Sequence, residues 1–296
     1  MPGRRRSDEG EERSVDTVVE PAREESLRRE FDASAPGYRG AVEGNPFERY
    51  LKARALAELL PRLAGRDPLL EIGPGPGLET IPLARAGHRV TAVDLSGEMQ
   101  RVLRERVAAE GLSDRVAVRS GGLATLADDL SDVAPGHYAG AWSTFGAPNL
   151  TPDPTAVARG LARLLGPGAP ALVGLLNRWG IAPLLYEAGQ GNWRAIRARQ
   201  RQPIRAEGIR YPLDLYVWTP REYARAWAPY FVLHEVVPLS ALAPPFASPR
   251  LLERFGRRAW SLARRVDRRL TPALPALSEW VLLELRRTDV PLPGGR

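Results

Sequence analysis

The sequence predicts an α/β protein with a doubly wound, mostly parallel seven-stranded sheet and helices on both faces. Short apolar segments alternate along the chain with longer segments whose apolar residues recur at helical spacing. This alternation is typical of parallel strands joined by helical crossovers. The pattern changes after Asn177, where a basic and aromatic-rich segment interrupts it, so we expect a cap inserted after the fifth strand.

The predicted strands share a short apolar run bounded by glycine, proline or polar residues. They are 68–72, 89–93, 115–119, 138–143 and 169–176, then a sixth at 231–237 and a last at 279–286.

The predicted helices share apolar residues at helical spacing and recognisable end signals. They cover 45–63, 78–85, 96–110, 151–166 and 250–270, with a further helix beginning at Thr219-Pro220 and a hairpin pairing 203–211 with 213–218. Ser96 is a predicted N-cap, and Thr151 is another because a proline follows it. In the helix at 250–270, the apolar residues keep one face, so we expect its eight arginines on the solvated face.

The predicted organisation is one domain between two tails. We expect a disordered charged tail at 1–25, a domain over 26–286 and a tail at 287–296. The domain would consist of a cofactor half at about 31–177, a cap insertion at about 178–218, and C-terminal strands with the arginine-rich helix at 219–286. The longest apolar run, near 171–176, is far below the ~20 residues of a membrane-spanning helix. We therefore expect no membrane association and a cytoplasmic location.

Composition excludes several kinds of site. Cysteine is absent, which excludes disulfides, thiolate metal sites and a cysteine nucleophile, and three histidines do not favour a metal centre. The net charge of +7 arises in one stretch, because residues 191–270 hold 16 arginines and 6 acidic residues. The chain has one lysine, Lys52, against 41 arginines, which is typical of GC-rich coding and weakens a nucleic-acid interpretation of the charge.

The segment from 69 to 99 carries the chemistry. A strand ends in Glu71-Ile72, and Gly73-Pro74-Gly75-Pro76-Gly77 then turns the chain into a helix. Glycines allow unusual backbone angles and the close approach of a ligand. The next strand ends in Asp94, where a carboxylate can accept hydrogen bonds from both hydroxyls of a ribose.

Two ligand classes compete for this loop. A dinucleotide loop of the form G-x-G-x-x-G would place its third glycine at 78, where the chain has Leu78. Glu71, two residues before the first glycine, would repel a pyrophosphate and attract a cation. A nicotinamide dehydrogenase is therefore the weakest interpretation.

An acid, an apolar residue and G-x-G-x-G, followed by an acid that ends the second strand, resemble the class I S-adenosylmethionine-dependent methyltransferases. The sequence is most similar to the small-molecule branch of methyltransferase type 11. The resemblance covers most of 31–286 and is strongest at 69–99. It implies a Rossmann-like fold and S-adenosyl-L-methionine as the cofactor.

The resemblance assigns roles to the residues of the loop. Gly73, Gly75 and Gly77 would lie under the methionine and ribose of the cofactor. Glu71 would order the loop and face the methionine ammonium, directly or through water. Asp94 would bind the ribose hydroxyls.

The resemblance also implies an adenine site. Leu95 and Met99 would pack on the adenine ring. The family often has an acid after the third strand that holds the adenine amino group, but this chain has Gly122 there. The contact would then be lost or made by backbone near Leu123.

Two further segments resemble the family. Residues 31–38 (FDASAPGY) match its N-terminal segment, whose tyrosine, here Tyr38, often closes over the methionine end. Residues 142–149, which include Ser143, match the tip of the fourth strand beside the transferable methyl group.

We expect a small-molecule acceptor, anionic or aromatic in character. The cap holds six aromatic residues that would either contact such a molecule or form the cap's own core. They are Trp179, Tyr186, Trp193, Tyr211, Tyr216 and Trp218. Neither a catalytic residue nor an oligomeric state is predicted.

Two alternatives stay open. The basic surface of 191–270 would suit an RNA, DNA or protein methyltransferase, although the fourth strand ends in Ser-Thr-Phe-Gly rather than the Asn-Pro-Pro-aromatic motif of base amino methylation. We therefore do not expect nucleic acid as the partner. The other alternative is a cofactor-binding module without catalysis.

Overall fold

A computed structural model describes residues 19–145, 147–206, 213–242 and 249–291. Side chains are described for these ranges except at 19–22, 205–206 and 249–259. Among the described residues, no helix is both long enough and apolar enough to cross a lipid bilayer.

The helices and strands alternate through the first half of the chain. The α-helices are α1 (Val19–Gly44), α2 (Pro46–Leu63), α3 (Thr80–Arg85), α4 (Gly97–Ala109), α5 (Leu126–Asp129), α6 (Pro154–Leu164), α7 (Ile181–Gly189), α8 (Trp193–Ala198), α9 (Pro220–Trp227) and α10 (Pro249–Leu270). The strands are β1 (Leu69–Ile72), β2 (Val90–Asp94), β3 (Val116–Ser120), β4 (Gly140–Ser143), β5 (Pro170–Leu176), β6 (Ile204–Ala206), β7 (Leu213–Leu215), β8 (Phe231–Ser240) and β9 (Trp280–Arg287). Short 3-10 helices lie at Ala147–Asn149, Thr271–Ala273 and Pro275–Leu277.

Seven strands form the main sheet, in the order β3-β2-β1-β4-β5-β9-β8. The first five strands run parallel, whereas β9 is antiparallel to both β5 and β8. This confirms the predicted mostly parallel seven-stranded sheet with helices on both faces. Because β1 to β4 run parallel, their carboxyl ends share one edge, which is where ligands bind in open α/β sheets.

The core consists of two apolar clusters, one on each face of the sheet. The first joins the sheet to α6 and α9 and contains the fully buried Leu161, Tyr223 and Trp227. The second joins it to α2, α3 and α4 and contains Leu51 and Trp142. Successive apolar side chains of β9 point to opposite faces of the sheet and belong to the two clusters in turn. A shift of β9 by one residue would exchange the two faces, so both clusters fix the register of this antiparallel strand.

Helix α6 begins two residues later than the sequence predicts. Asp153 is the N-cap, with its Oδ1 accepting from the N–H groups of Thr155 at 2.9 Å and Ala156 at 3.1 Å. Thr151 and Asp153 are each followed by a proline, so either could cap the helix. Asp153 is the cap because its carboxylate accepts two backbone hydrogen bonds at once. The predicted cap at Thr151 was therefore wrong.

Helix α1 begins inside the segment that the sequence predicts as a disordered tail. Residues 1–18 lie outside the described residues, but 19–25 are helical, so the tail predicted for 1–25 was wrong over that part. Local charges explain the difference: Glu25 accepts hydrogen bonds from Arg28 and Arg29, one turn along the same helix.

The cap consists of α7, α8 and a small two-stranded sheet. Strand β6 pairs antiparallel with β7, with Ile204 opposite Leu215. This agrees with the predicted hairpin, although its turn and Tyr211 lie outside the described residues. The limits of the cap stay a prediction.

Over residues 260–270, where its side chains are described, helix α10 turns a different face inward from the one its apolar pattern predicts. Leu262, Val266 and Leu270 are exposed by 64%, 40% and 47%. Asp267 is buried instead, and it accepts from the N–H of Ala241 at 3.0 Å. Its other oxygen accepts from the Tyr50 hydroxyl at 2.7 Å. A buried carboxylate that receives several hydrogen bonds thus sets the rotation of the helix.

Candidate functional site

The loop after β1 has a backbone that only glycine adopts readily. Gly73, Gly75 and Gly77 have φ angles of 69°, 52° and 77°. A Cβ on Gly73 would lie 2.8 Å from the Cβ of Ala147, and one on Gly77 would lie 2.3 Å from Leu103. The loop is therefore fixed both by its backbone angles and by its close approach to neighbouring elements.

Asp94 ties this loop to the second strand. Its Oδ2 accepts from the N–H of Gly75 at 3.0 Å, and its Oδ1 accepts from the N–H of Ser96 at 2.9 Å. Each oxygen keeps a lone pair for one more donor, as two ribose hydroxyls would require. Burial raises the pKa of Asp94 to about 6, although the two N–H groups act in the opposite direction.

Ser96 caps α4 as predicted and also fastens α1. Its Oγ accepts from the N–H of Met99 at 3.1 Å and donates to Oδ1 of Asp32 at 2.6 Å. The same Asp32 oxygen accepts from the N–H of Glu98 at 3.1 Å. Helix α1 therefore lies against the carboxyl end of β2, over the site.

Glu71 is buried at the end of β1 with both of its carboxylate oxygens engaged. The Trp142 indole donates to Oε1 at 3.0 Å, and the Thr80 hydroxyl donates to Oε2. Burial, together with the negative charge of Glu79, raises the pKa of Glu71 to about 8. Glu71 thus joins β1, β4 and α3 beneath the loop.

Lys52, the single lysine of the chain, lies in a buried group of charges that the sequence reasoning missed. Its Nζ is 3.0 Å from Oε1 of Glu79 and 4.0 Å from the ring centroid of Phe145. Burial lowers the pKa of Lys52, but Glu79 and the Tyr38 phenol outweigh this effect, and the net pKa is raised. The side chain is therefore a cation. The composition of the chain could have pointed to this residue, because a single lysine among 41 arginines is an exception to the coding bias.

Tyr38 and Glu48 complete this group. Burial raises the pKa of the Tyr38 phenol, and Lys52 lowers it. Burial also raises the pKa of Glu48 to about 7, against the effect of Lys52. Helices α1 and α2 thus bring Tyr38 and Lys52 together, next to the end of β1.

The tip of β4 is backbone-strained. Phe145 has a φ of 51°, an unusual value for an aromatic residue, and its ring lies 5.7 Å from that of Trp280. The predicted contact residue Ser143 is buried and donates to the backbone oxygen of Ile72 at 2.8 Å. Its hydroxyl therefore bonds β1, while Phe145 is the side chain that faces Lys52.

The residues predicted for the adenine ring lie around the ends of β2 and β3. Met99 is buried, with its sulfur 4.0 Å from where a Gly75 Cβ would be, and Leu95 is half-buried. Leu123 is half-buried and packs on the core cluster of α6. Gly122 donates its N–H to Oδ2 of Asp129 at 2.9 Å. The structure thus brings these predicted residues to the same sheet edge as Asp94.

Two asparagines that the sequence reasoning missed hold the ends of β4 and β5, one by bonding the cap and the other by bonding the chain before β9. Asn149, after β4, donates to the backbone oxygen of Tyr216 at 2.7 Å and accepts from the N–H of Leu176 at 2.9 Å. Asn177, after β5, donates to the backbone oxygen of Ser278 at 2.9 Å. Both are fully buried, and they hold the strand ends under the cap.

The cap aromatics divide between surface and interior. Trp179 and Trp193 are exposed by 44% and 59%, whereas Trp218 packs against the core cluster of α6 and α9. Glu279 lies buried beside Gly180, and burial raises its pKa to about 7, against the effect of Arg199. The cap and the residues beneath it therefore combine exposed aromatic surface with a buried acid that the sequence reasoning missed.

Within the described ranges, no three histidine, aspartate or glutamate side chains converge in a way that would hold a metal ion.

Comparison with known proteins locates the recognisable part of the chain. Residues 69–168, from the start of β1 to the turn before β5, match the family model of a methyltransferase domain. The ubiquinone biosynthesis O-methyltransferases of Xanthomonas euvesicatoria pv. vesicatoria and Xanthomonas axonopodis pv. citri are both 34% identical, over 113 and 110 residues. The aligned part is 37% of this chain and 43% of theirs, so the chain spans less than half the length of these relatives.

Solved structures share the fold over most of the chain. The [4+2]-cyclase SpnF has a TM-score of 0.59 at 14% identity, covering 90% of this chain and 97% of that one. The methyltransferase CcbJ from Streptomyces caelestis has a TM-score of 0.51 at 21% identity, covering 81% and 90%. At such identities the likeness shows the Rossmann-like fold alone, since one fold serves different reactions.

Proposed function

We propose that this chain, whose residues 69–168 match the family model of a methyltransferase domain, is a class I S-adenosylmethionine-dependent methyltransferase that moves a methyl group to a small-molecule acceptor. One observation carries the proposal: the N–H of Gly75, in a loop of three left-handed glycines, donates to Asp94 at the tip of the next strand. A ligand with a ribose next to a compact charged group fits this junction.

The residues present fit S-adenosylmethionine at its ribose. Asp94 would accept hydrogen bonds from both hydroxyls on its remaining lone pairs. Gly73, Gly75 and Gly77 would lie under the ribose and the methionine, since they place no side chain in the way. The half-buried Leu95 and the buried Met99 would contact the adenine.

The buried group around Lys52 fits the methionine end, which carries a carboxylate and an ammonium. Lys52 would bind the carboxylate, and Glu48 or Glu79 would bind the ammonium, with Tyr38 closing over both from α1. Glu71 would act from below, by holding β1, β4 and α3 in place through Trp142 and Thr80.

The cofactor supplies a methyl group already activated by the sulfonium charge. The chain's own task is then to align the acceptor with that group and to exclude water, which is a large part of catalysis for such a step. Phe145 and Trp280 form an apolar wall at the tip of β4 that suits this task. We assign no catalytic residue.

The acceptor is proposed to be a small molecule because the curated relatives are O-methyltransferases of ubiquinone biosynthesis. The exposed Trp179 and Trp193 support an aromatic acceptor, and the arginines of α8 support an anionic one. A cytoplasmic site of action is also part of this proposal.

Titration calorimetry with S-adenosylmethionine and S-adenosylhomocysteine tests cofactor binding. We expect Asp94→Ala to weaken binding by about tenfold or more, since it removes hydrogen bonds to a charged group. Asp132→Ala is the matched control, because Asp132 is a surface carboxylate paired with Arg119. Failure of the wild-type protein to bind either compound would refute the proposal.

Transfer itself needs a separate assay. Incubation with the tritiated-methyl cofactor and a cell extract, followed by mass spectrometry, would identify the acceptor. Label in a small-molecule fraction supports the proposal, whereas label in RNA, DNA or protein would favour the alternative that uses the basic 191–270 surface.

One observation favours a second candidate. The cyclase SpnF has the same fold, so the fold is compatible with a reaction other than methyl transfer. Cofactor binding with no labelled product from any extract would favour this candidate, or a binding module without catalysis.

A further inference from the structure

The position of the adenine follows from the order of the strands. The inference rests on the proposed function, in which the glycine loop after β1 and Asp94 after β2 hold the methionine and ribose. Strand β3 is the next neighbour of β2 in the sheet. A nucleoside that continues along the same edge therefore brings its base to the end of β3, at Gly121 and Gly122.

Gly122 has a backbone that does not require glycine. Its φ angle does not lie in the left-handed region. A side chain is instead disfavoured by neighbours: a Cβ on Gly122 would lie 2.6 Å from Oε1 of Glu24 and 3.0 Å from Oγ1 of Thr125. Helix α1 thus brings a carboxylate to a strand end that carries no side chain of its own.

This carboxylate lies in the space that a side chain at 122 would enter. In an aspartate, each carboxylate oxygen lies about 2.4 Å from its own Cβ. Oε1 of Glu24 lies 2.6 Å from the Cβ that residue 122 would have. Glu24 therefore places an oxygen at nearly the distance from that Cβ at which an aspartate at 122 would hold its own, although the two residues are far apart in the chain.

Contacts on both sides hold Glu24 in place. The preceding residue, Arg23, donates to the Tyr216 hydroxyl at 2.7 Å, and its guanidinium lies 4.6 Å from the centroid of that ring. Two turns further along α1, Asp32 accepts from Ser96 and from Glu98. The helix cannot shift along the site without breaking one of these contacts.

The other acid beside Gly122 already serves the loop itself. Oδ2 of Asp129 accepts from the N–H of Gly122 at 2.9 Å and from the Thr125 hydroxyl at 2.6 Å. These bonds fix the turn after β3. Glu24 approaches the same turn from the helix that covers the site.

We propose that Glu24 accepts a hydrogen bond from the exocyclic amino group of the adenine and selects adenine over hypoxanthine. An amino group donates to a carboxylate, whereas the carbonyl oxygen at the same place in hypoxanthine is repelled by it.

The test compares S-adenosylhomocysteine with S-inosylhomocysteine by titration calorimetry on the full chain; their bases differ in the group at C6 and in the proton that hypoxanthine carries on N1. The wild-type protein should bind the adenine compound about tenfold to a hundredfold more tightly. Glu24→Ala should bring the ratio of the two dissociation constants close to one. Glu24→Gln should keep part of the preference, because its amide oxygen still accepts.

Glu43→Ala is the matched control. Glu43 lies at the other end of α1 and pairs with Arg39 on the surface, so its loss should leave the ratio unchanged. Thermal unfolding of each variant shows whether α1 stays folded.

A reciprocal variant tests the position directly. Gly122→Asp should weaken binding of the adenine compound in the wild-type background, because its carboxylate would meet that of Glu24. In the Glu24→Ala background, the same change should restore the preference for adenine. An unchanged ratio in Glu24→Ala, or no restoration by Gly122→Asp, would overturn the proposal, whereas failure of the wild-type protein to bind either ligand would instead refute the cofactor site.

Discussion

The backbone N–H of Gly75 donates to Oδ2 of Asp94 at 3.0 Å, so the glycine loop and the tip of the second strand form one unit. The same carboxylate accepts from Ser96, which caps α4. A ligand that bonds Asp94 therefore contacts a group already held from two sides. Such preorganisation reduces the entropy lost on binding.

Cofactor binding should depend on pH through Asp94. The ribose hydroxyls donate to the ionised carboxylate, and burial raises its pKa to about 6 in the free protein. Affinity should be constant above this value and fall by up to about tenfold per pH unit below it. Calorimetry between about pH 8 and pH 5 measures the effect. Asp94→Asn keeps the size of the side chain and should bind weakly without this step; an equal step in that variant would assign it to another group.

Lys52→Met should have two separable effects. Loss of the cation should weaken S-adenosylmethionine binding by about tenfold or more and should also lower the melting temperature, because Glu79 is left buried without its partner. Adding Glu79→Gln should recover stability but not affinity. Recovery of both would mean that Lys52 serves only the ion pair. Calorimetry and thermal unfolding give the two readings.

Glu71 should make the protein less stable as pH rises. Its pKa is about 8 in the folded state against an ordinary value of 4.5, so folding takes up a proton between these limits. Its contribution is therefore most favourable below the lower value and is lost as pH rises through the higher one. Urea unfolding of Glu71→Gln should show a smaller loss of stability from about pH 6 to pH 9 than the wild type. Glu105→Gln, on the exposed face of α4, should follow the wild type.

The basic surface of the cap should affect the acceptor but not the cofactor. Arg197 and Arg201 are exposed, so their replacement by glutamate leaves the core intact. If the acceptor is anionic, the double variant should raise its KM several-fold and leave the dissociation constant of the cofactor unchanged. Reversal of Arg264 and Arg265, which are exposed on α10, controls for net charge. Equal kinetics in both variants would leave coding bias as the reason for these arginines.

The sheet could be predicted from the sequence because its signals are local. Strand β2 was expected at 89–93 and runs from Val90 to Asp94, since an apolar run between glycine-marked turns defines it without help from distant residues. The cap of α4 at Ser96 follows from the same kind of local chemistry.

The parts that could not be predicted depend on distant contacts. Helix α1 is held by the hydrogen bonds of Arg23 to Tyr216 and of Asp32 to Ser96. The partners are far apart in the chain, so no local sequence pattern predicts these bonds. The inward rotation of α10 depends on Asp267, a charged residue that a hydropathy pattern assigns to solvent. In the site, the approach of Glu24 to Gly122 joins two residues that are 98 positions apart in the chain.

The half-buried position of Lys52 within α2 has a practical consequence for following motion at the site. A lysine-specific protease has a single target in this chain, the bond between Lys52 and Ala53, in the interior of a helix whose inner face is buried. Cleavage requires that this helix opens, so the cleavage rate under native conditions reports local unfolding beside the glycine loop. A ligand that bridges Lys52 and Asp94 would lower the rate of cleavage after Lys52. Following that rate by gel electrophoresis would measure occupancy of the site without any acceptor being known.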